Sequence, residues 1–201
     1  MPLTYLALGD SYTIGEGVEP AGRWPVHLAA MLRDEGVPLA EPRILATTGW
    51  TTDELSAAMD AAAFDPPYDL VSLLIGVNNQ YRGRTADDYR GEFRRLLERA
   101  AALAGGRAAR ALVLSIPDWG VTAFARGQDR DPARIAAELD AYNAIARDEA
   151  RRLGAPWVDV TPISRSHPGL LVDDGLHPDA GQYALWAAAA LPAARHALSS
   201  S

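Results

Sequence analysis

Two ends of this chain carry residues whose types and spacing suit nucleophilic catalysis. Ser11 lies in Leu8-Gly9-Asp10-Ser11-Tyr12, and Asp174 and His177 stand three residues apart in Asp173-Asp174-Gly175-Leu176-His177-Pro178. A serine hydroxyl is a weak nucleophile at its own pKa. It needs an imidazole to take its proton and a carboxylate to fix that imidazole's tautomer. Between the two ends, Gly76-Val77-Asn78-Asn79 joins a glycine turn to a side-chain amide, a neutral donor of the kind that stabilises a developing oxyanion.

Each residue also has an ordinary structural use. Ser11 alone would read as a helix N-cap after a strand, and His177 as a loop histidine before a proline-started helix. Aspartate in Asp-Asp-Gly commonly forms turns, and either Asp173 or Asp174 could turn toward the imidazole; the three-residue offset favours Asp174. Together, in one chain, the motifs favour catalysis. His27 falls in an expected helix, His196 near a chain end, and His167 lacks an adjacent acid, so none competes with His177. With no cysteine and no His-x-x-x-His pair, no metal is expected, and no cofactor. Gly15-Glu16-Gly17 lacks the third glycine of a dinucleotide fingerprint, since position 20 is Pro20, and reads as a flexible loop beside the site.

These residues must be brought together by the elements between them. Five apolar, β-branched-rich runs, Leu3–Leu8, Arg43–Thr47, Leu70–Ile75, Arg110–Ile116 and Pro156–Val160, read as buried parallel strands. Helices are expected at Trp24–Glu35, Thr52–Ala63, Ala86–Ala104, Pro132–Leu153 and Pro178–Leu198, with Pro192 kinking or shortening the last. Thr85 before Asp87 and Asp88, and Asp131 before Pro132, are the clearest start signals.

This alternation predicts an α/β fold: a three-layer α/β/α sandwich with a five-stranded parallel sheet, in one domain spanning 1–201. Ligands of such sheets bind beyond the carboxyl ends of the strands, which is where Ser11, Gly49, Asn78 and His177 fall. The longer irregular stretches, Thr13–Arg23 and Pro117–Asp131, are candidates for substrate selection.

Composition narrows the chemistry further. The 201 residues are 48% hydrophobic and 22% charged, ordinary for a globular chain. All 19 basic residues are arginine, so lysine Schiff-base and Walker-type phosphate chemistry are excluded. A net charge of -7 argues against nucleic acid and anionic membrane as partners. No run reaches the roughly 20 apolar residues of a membrane span. Met1-Pro2-Leu3-Thr4-Tyr5 lacks a basic n-region, and the apolar run behind it ends at Ser11, so a cytoplasmic protein without stable membrane insertion is expected. The oligomeric state is not legible.

In four places the chain resembles the SGNH hydrolases, also called GDSL-type esterases and lipases. Gly9-Asp10-Ser11-Tyr12 is similar to the first block of that family, Gly49 in Thr47-Thr48-Gly49-Trp50 to the second, Gly76-Val77-Asn78 to the third, and Asp174-Gly175-Leu176-His177 to the last. The order is that of the family, and the resemblance spans nearly the whole chain. It implies a flavodoxin-like SGNH fold with Ser11 as nucleophile, His177 as general base and then acid, and Asp174 as its orienting carboxylate. It also implies an oxyanion hole made by the backbone N–H groups of Ser11 and Gly49 and the side chain of Asn78. Many members carry an acid directly after the third-block asparagine; here Asn79 stands there, and it is expected to tie loops together or border the substrate.

The expected activity is hydrolysis of a carboxylic ester of short acyl chain through an acyl-enzyme on Ser11, with a small-molecule ester as partner. Carbohydrate O-deacetylation, thioester hydrolysis and acyl transfer would use the same residues, and a non-catalytic small-ligand module is the alternative from another class. Tyr12, Ile14, Trp50, Asn79, Tyr81, Trp119 and Leu176 are the candidate pocket residues, by adjacency to the motifs. The α/β-hydrolase arrangement is disfavoured because no serine sits in Gly-x-Ser-x-Gly.

Overall fold

Parallel pairing joins all five strands of the computed structural model, which describes residues 1–199. The strands are β1 (Tyr5–Gly9), β2 (Arg43–Ala46), β3 (Leu70–Leu74), β4 (Ala111–Leu114) and β5 (Trp157–Val158). The helices are α1 (Ser11–Ile14), α2 (Trp24–Asp34), α3 (Thr52–Ala61), α4 (Val77–Tyr81), α5 (Ala86–Leu103), α6 (Ala123–Arg126), α7 (Pro132–Leu153), α8 (Thr161–Ser166) and α9 (Ala180–Ser199).

The strand order is β2-β1-β3-β4-β5, with Leu8 set between Leu45 and Leu73. Every residue of β1, β3 and β4 is buried, because helices cover both faces: α2 packs on α9, and α5 packs on α3 and α7. The chain leaves β1 for β2 on one side and then crosses to β3 on the other. The loops after β1 and β3 therefore diverge and leave a crevice at the carboxyl edge of the sheet. Ser11 and Asn78 follow those two strands directly.

Local chemistry explains the sharpest boundaries. Asp131 accepts the Ala133 N–H at 2.9 Å, Pro132 occupies the first turn of α7, and Gly154 ends that helix at φ 82°. Thr85 accepts the Asp88 N–H at 3.2 Å to start α5. Thr51 and Glu54 form a reciprocal capping box on α3.

The structure departs from the sequence reading at several points. β1 begins at Tyr5, and Leu3 makes only an isolated bridge to Leu39; β5, at the sheet edge, is two residues long. Pro192 does not end α9, which continues to Ser199: Pro192 and Ala188, whose carbonyl loses its donor, both face solvent, where water can replace the lost bond. Four short helices, α1, α4, α6 and α8, occupy stretches to which the sequence reading assigned no helix. Among the described residues no helix is long and apolar enough to cross a membrane.

Candidate active site

Strand β1 ends at Gly9, where a Cβ would lie 2.5 Å from the Leu74 carbonyl oxygen, so only glycine lets α1 turn back over the strand end. Asp10 caps α1 by accepting the Tyr12 N–H at 3.1 Å, which makes Ser11 the first residue of the helix. Asp10 itself is fully buried, and its second oxygen has no hydrogen-bond partner among the described residues. Burial lifts its carboxyl to about 7, against the pull of the backbone N–H groups around it.

The candidate base comes from the loop before α9. Gly175, at φ 68°, turns the chain so that Asp174 Oδ1 accepts the N–H groups of Leu176 at 2.7 Å and His177 at 2.9 Å. Asp174 Oδ2 meets His177 Nδ1 at 2.6 Å. Partial burial pushes the Asp174 carboxyl up, but these hydrogen bonds and the imidazole outweigh it and leave the carboxyl below the usual carboxylate range. An ionised Asp174 accepts only, so Nδ1 carries the proton and Nε2 is the ring atom left to exchange one. The Tyr12 ring stands edge-on to the imidazole, 5.8 Å between centroids.

The donors come from two further loops. Gly76 sits at φ 132°, where a Cβ would come within 2.6 Å of the Tyr89 ring, and it opens α4. Asn78, on the first turn of α4, donates from Nδ2 to the Trp50 carbonyl at 2.9 Å, which leaves its second amide hydrogen free. Gly49, at φ 88°, lies in the loop after β2.

Ser11, Gly49, Asn78 and His177 all open onto one cavity of about 210 Å³, whose other walls are Tyr12, Thr48, Val77, Tyr81, Trp119, Phe124 and Leu176. Asp174 stands behind His177, outside that lining. The structure thus brings together residues from the loops after β1, β2 and β3 and from the segment before α9.

Of the candidate pocket residues, Tyr12, Tyr81, Trp119 and Leu176 line the cavity, while Ile14, Trp50 and Asn79 do not. Ile14 is carried to the far end of α1. Trp50 packs its side chain against the core and offers only its carbonyl, to Asn78. Asn79 is fully buried toward α3: its Oδ1 accepts the Thr52 N–H at 3.0 Å, and its Nδ2 donates to Thr52 Oγ1 at 2.6 Å.

Thr48, Val77 and Phe124 line the cavity as well, beyond the residues expected from the sequence. The first two adjoin motif residues and were open to the same adjacency reading. Phe124 follows Thr122, whose hydroxyl caps α6 by accepting the Ala125 N–H at 3.2 Å. The stretch Pro117–Asp131 thus supplies two walls, Trp119 and Phe124. Thr13–Arg23 supplies none: Gly15 closes α1 in the left-handed region, and Glu16 accepts a short hydrogen bond from the Thr48 hydroxyl.

A sequence model of the GDSL-like Lipase/Acylhydrolase family matches residues 7–185, a span that holds all four motifs. The chain belongs to this family. No curated protein matches its sequence. Among solved structures, TesA superposes with a TM-score of 0.76 at 19% identity, covering 97% of this chain and 99% of its own. The psychrotrophic esterase EstA from Pseudoalteromonas gives 0.74 at 15% identity, covering 96% and 97%. A point mutant of Axe2, an acetyl-xylooligosaccharide esterase from Geobacillus stearmophilus, gives 0.74 at 19%, covering 96% and 95%. At these identities the likeness is one of fold. This GDSL-family chain accordingly has the SGNH hydrolase architecture.

Proposed function

We propose that the protein is a serine esterase hydrolysing carboxylic esters of short acyl chain through an acyl-enzyme on Ser11. The observation that carries this reading is the Asp174–His177 pair at 2.6 Å, with its imidazole facing the cavity that Ser11 also lines. In the first half-reaction Ser11 Oγ attacks the acyl carbon while His177 Nε2 takes its proton. The carbonyl oxygen becomes an oxyanion held by the N–H groups of Ser11 and Gly49 and by Asn78 Nδ2, and the alcohol leaves with the proton from His177. Water, activated by the same imidazole, attacks the acyl-enzyme and releases the acid.

A fixed wall of the cavity supports a short acyl group. Trp119 is 2% exposed, and its Nε1–H is held by Gln80 Oε1 at 2.9 Å, so this wall cannot swing aside without breaking a buried hydrogen bond. The test is a panel of nitrophenyl esters from acetyl to octanoyl, with acetylated sugars beside it. Ser11→Ala and His177→Ala should each lower turnover about 10⁴-fold or more. Unchanged hydrolysis in the serine variant would reject the covalent route, and a rate confined to acetylated sugars would make the enzyme a carbohydrate deacetylase.

A further inference from the structure

Two side chains four residues apart, Asn78 on α4 and Arg82 at its C-terminal cap, grip two successive carbonyls of the loop after β2. Asn78 Nδ2 donates to the Trp50 carbonyl at 2.9 Å, and Arg82 Nη2 donates to the Gly49 carbonyl at 2.7 Å. The Arg82 N–H also closes on the Asn78 carbonyl at 3.0 Å, which sets the two side chains on one face of the helix. Arg82 Nη1 lies 3.4 Å from Glu54 Oε1, while Glu54 Oε2 accepts the Thr51 N–H at 2.8 Å, so the guanidinium is braced by the cap of α3. Arg82 does not line the catalytic cavity.

We infer that Arg82 is a positioning residue: by holding the Gly49 carbonyl, and with it the peptide plane that runs on to Trp50, it restricts rotation about the Gly49 Cα and so keeps the Gly49 N–H, in the plane before, aimed at the reacting oxygen. Gly49 needs such a hold. At φ 88° it occupies backbone space that glycine enters and leaves at little cost, and a donor that must reorient during the reaction contributes little to stabilising an oxyanion. Among the described residues the backbone turn around Gly49 is closed within the loop only by the long 3.3 Å bond from the Trp50 N–H to the Thr47 carbonyl, and the Thr48 hydroxyl ties the residue before it to Glu16. Because Arg82 caps the short helix that carries Asn78, the clamp also fixes the spacing between the two non-serine donors. A guanidinium suits this role because its planar fork reaches a carbonyl and a carboxylate at once, which an ammonium on a flexible stem does not.

This inference rests on the esterase reading for its catalytic consequence but not for its structural one, and the test separates them. Arg82→Ala and Arg82→Lys are compared with wild type by steady-state kinetics on a nitrophenyl ester, thermal unfolding, and ¹⁵N relaxation dispersion at the Gly49 and Trp50 amides. The alanine variant should lose about tenfold or more in kcat with KM nearly unchanged, and lysine should restore only part of it. Added guanidinium should recover rate in the alanine variant, since Arg82 also borders an open neighbouring cleft of about 540 Å³. Microsecond–millisecond exchange should appear at Gly49 and Trp50 in the alanine variant and be absent in wild type. Quiet amides, or a kcat equal to wild type in an active enzyme, would overturn the inference. If wild type hydrolyses no ester while the amides respond as expected, the esterase reading fails and the clamp on Gly49 stands.

Discussion

Asp174 holds His177 at two points, the ring Nδ1 at 2.6 Å through one carboxylate oxygen and the backbone N–H at 2.9 Å through the other. Ring and main chain are thereby locked in one orientation by a single side chain. Asp174→Asn presents an amide that can donate to Nδ1 and so favours the wrong tautomer. Turnover should fall by about 10⁴-fold with little change in KM. Asp173 is exposed and serves as the control: Asp173→Ala should stay within about twofold of wild type, as surface changes generally do. A large loss in the Asp173 variant with a mild one in the Asp174 variant would reverse the assignment.

Asn79 marks a position where family resemblance and local structure pull apart. Its Nδ2 donates to Thr52 Oγ1 at 2.6 Å and lies 3.4 Å from Glu92 Oε2. Asn79→Asp would remove that donor and set a second carboxyl beside Glu92 in a buried site. Stability should fall by about 1–3 kcal/mol, and fall further as pH rises and the new carboxyl ionises beside its neighbour. Because Asn79 has no face on the cavity, kcat should hold at temperatures where the variant is folded. Urea unfolding at acid and neutral pH, with turnover measured alongside, checks both halves.

The same residue shows how far sequence reaches. Strand–helix alternation was legible because buried runs such as Leu70–Leu74 and the capped, glycine-ended α7 each carry a strong local signal. The candidate catalytic residues were legible for a different reason: four short motifs in a fixed order leave few other readings. What escaped was the side on which each motif residue faces. α4 is only five residues, too short to show a period, yet its turn decides that Asn78 meets the loop at Trp50 while Asn79 points into α3. Phe124 escaped for a related reason, since its place on the cavity depends on how α6 docks.

Asp10 supplies a pH signature in stability. An aspartate carboxyl ordinarily titrates at 3.8, and burial raises this one to about 7. Between those values the folded chain keeps a proton that the unfolded chain has released. This contribution therefore costs nothing below that window, and stability declines as pH rises through it, with the full penalty above about 7. Asp10→Asn keeps the shape and the acceptor for the Tyr12 N–H but removes the titration. Wild type should lose more stability than this variant between about pH 5 and about pH 8 in urea unfolding. Parallel pH profiles would mean that Asp10 is ionised throughout in the folded protein.

On the esterase reading, Trp119 is a wall on which acyl length should depend. It lines the cavity, stacks edgewise with Tyr81 at 5.5 Å between centroids, and is pinned through Gln80, whose Nε2 reaches Glu138 Oε2 at 2.7 Å. Trp119→Ala removes the ring and frees the Gln80 carbonyl, so the variant should lose about 3–5 kcal/mol of stability. The space left behind opens onto the mainly apolar cavity that Ser11 also lines, and longer acyl chains would gain from burying methylenes there. The ratio of kcat/KM for octanoyl over acetyl nitrophenyl esters should therefore rise, by about tenfold for a gain near 1.4 kcal/mol. Gln80→Leu separates the two effects: it loosens Trp119 while leaving the ring in place, so it should broaden the acyl range less than Trp119→Ala does. An unchanged octanoyl-to-acetyl ratio in Trp119→Ala would place the acyl chain elsewhere, with Val77, Phe124 and Leu176 as further apolar walls to vary.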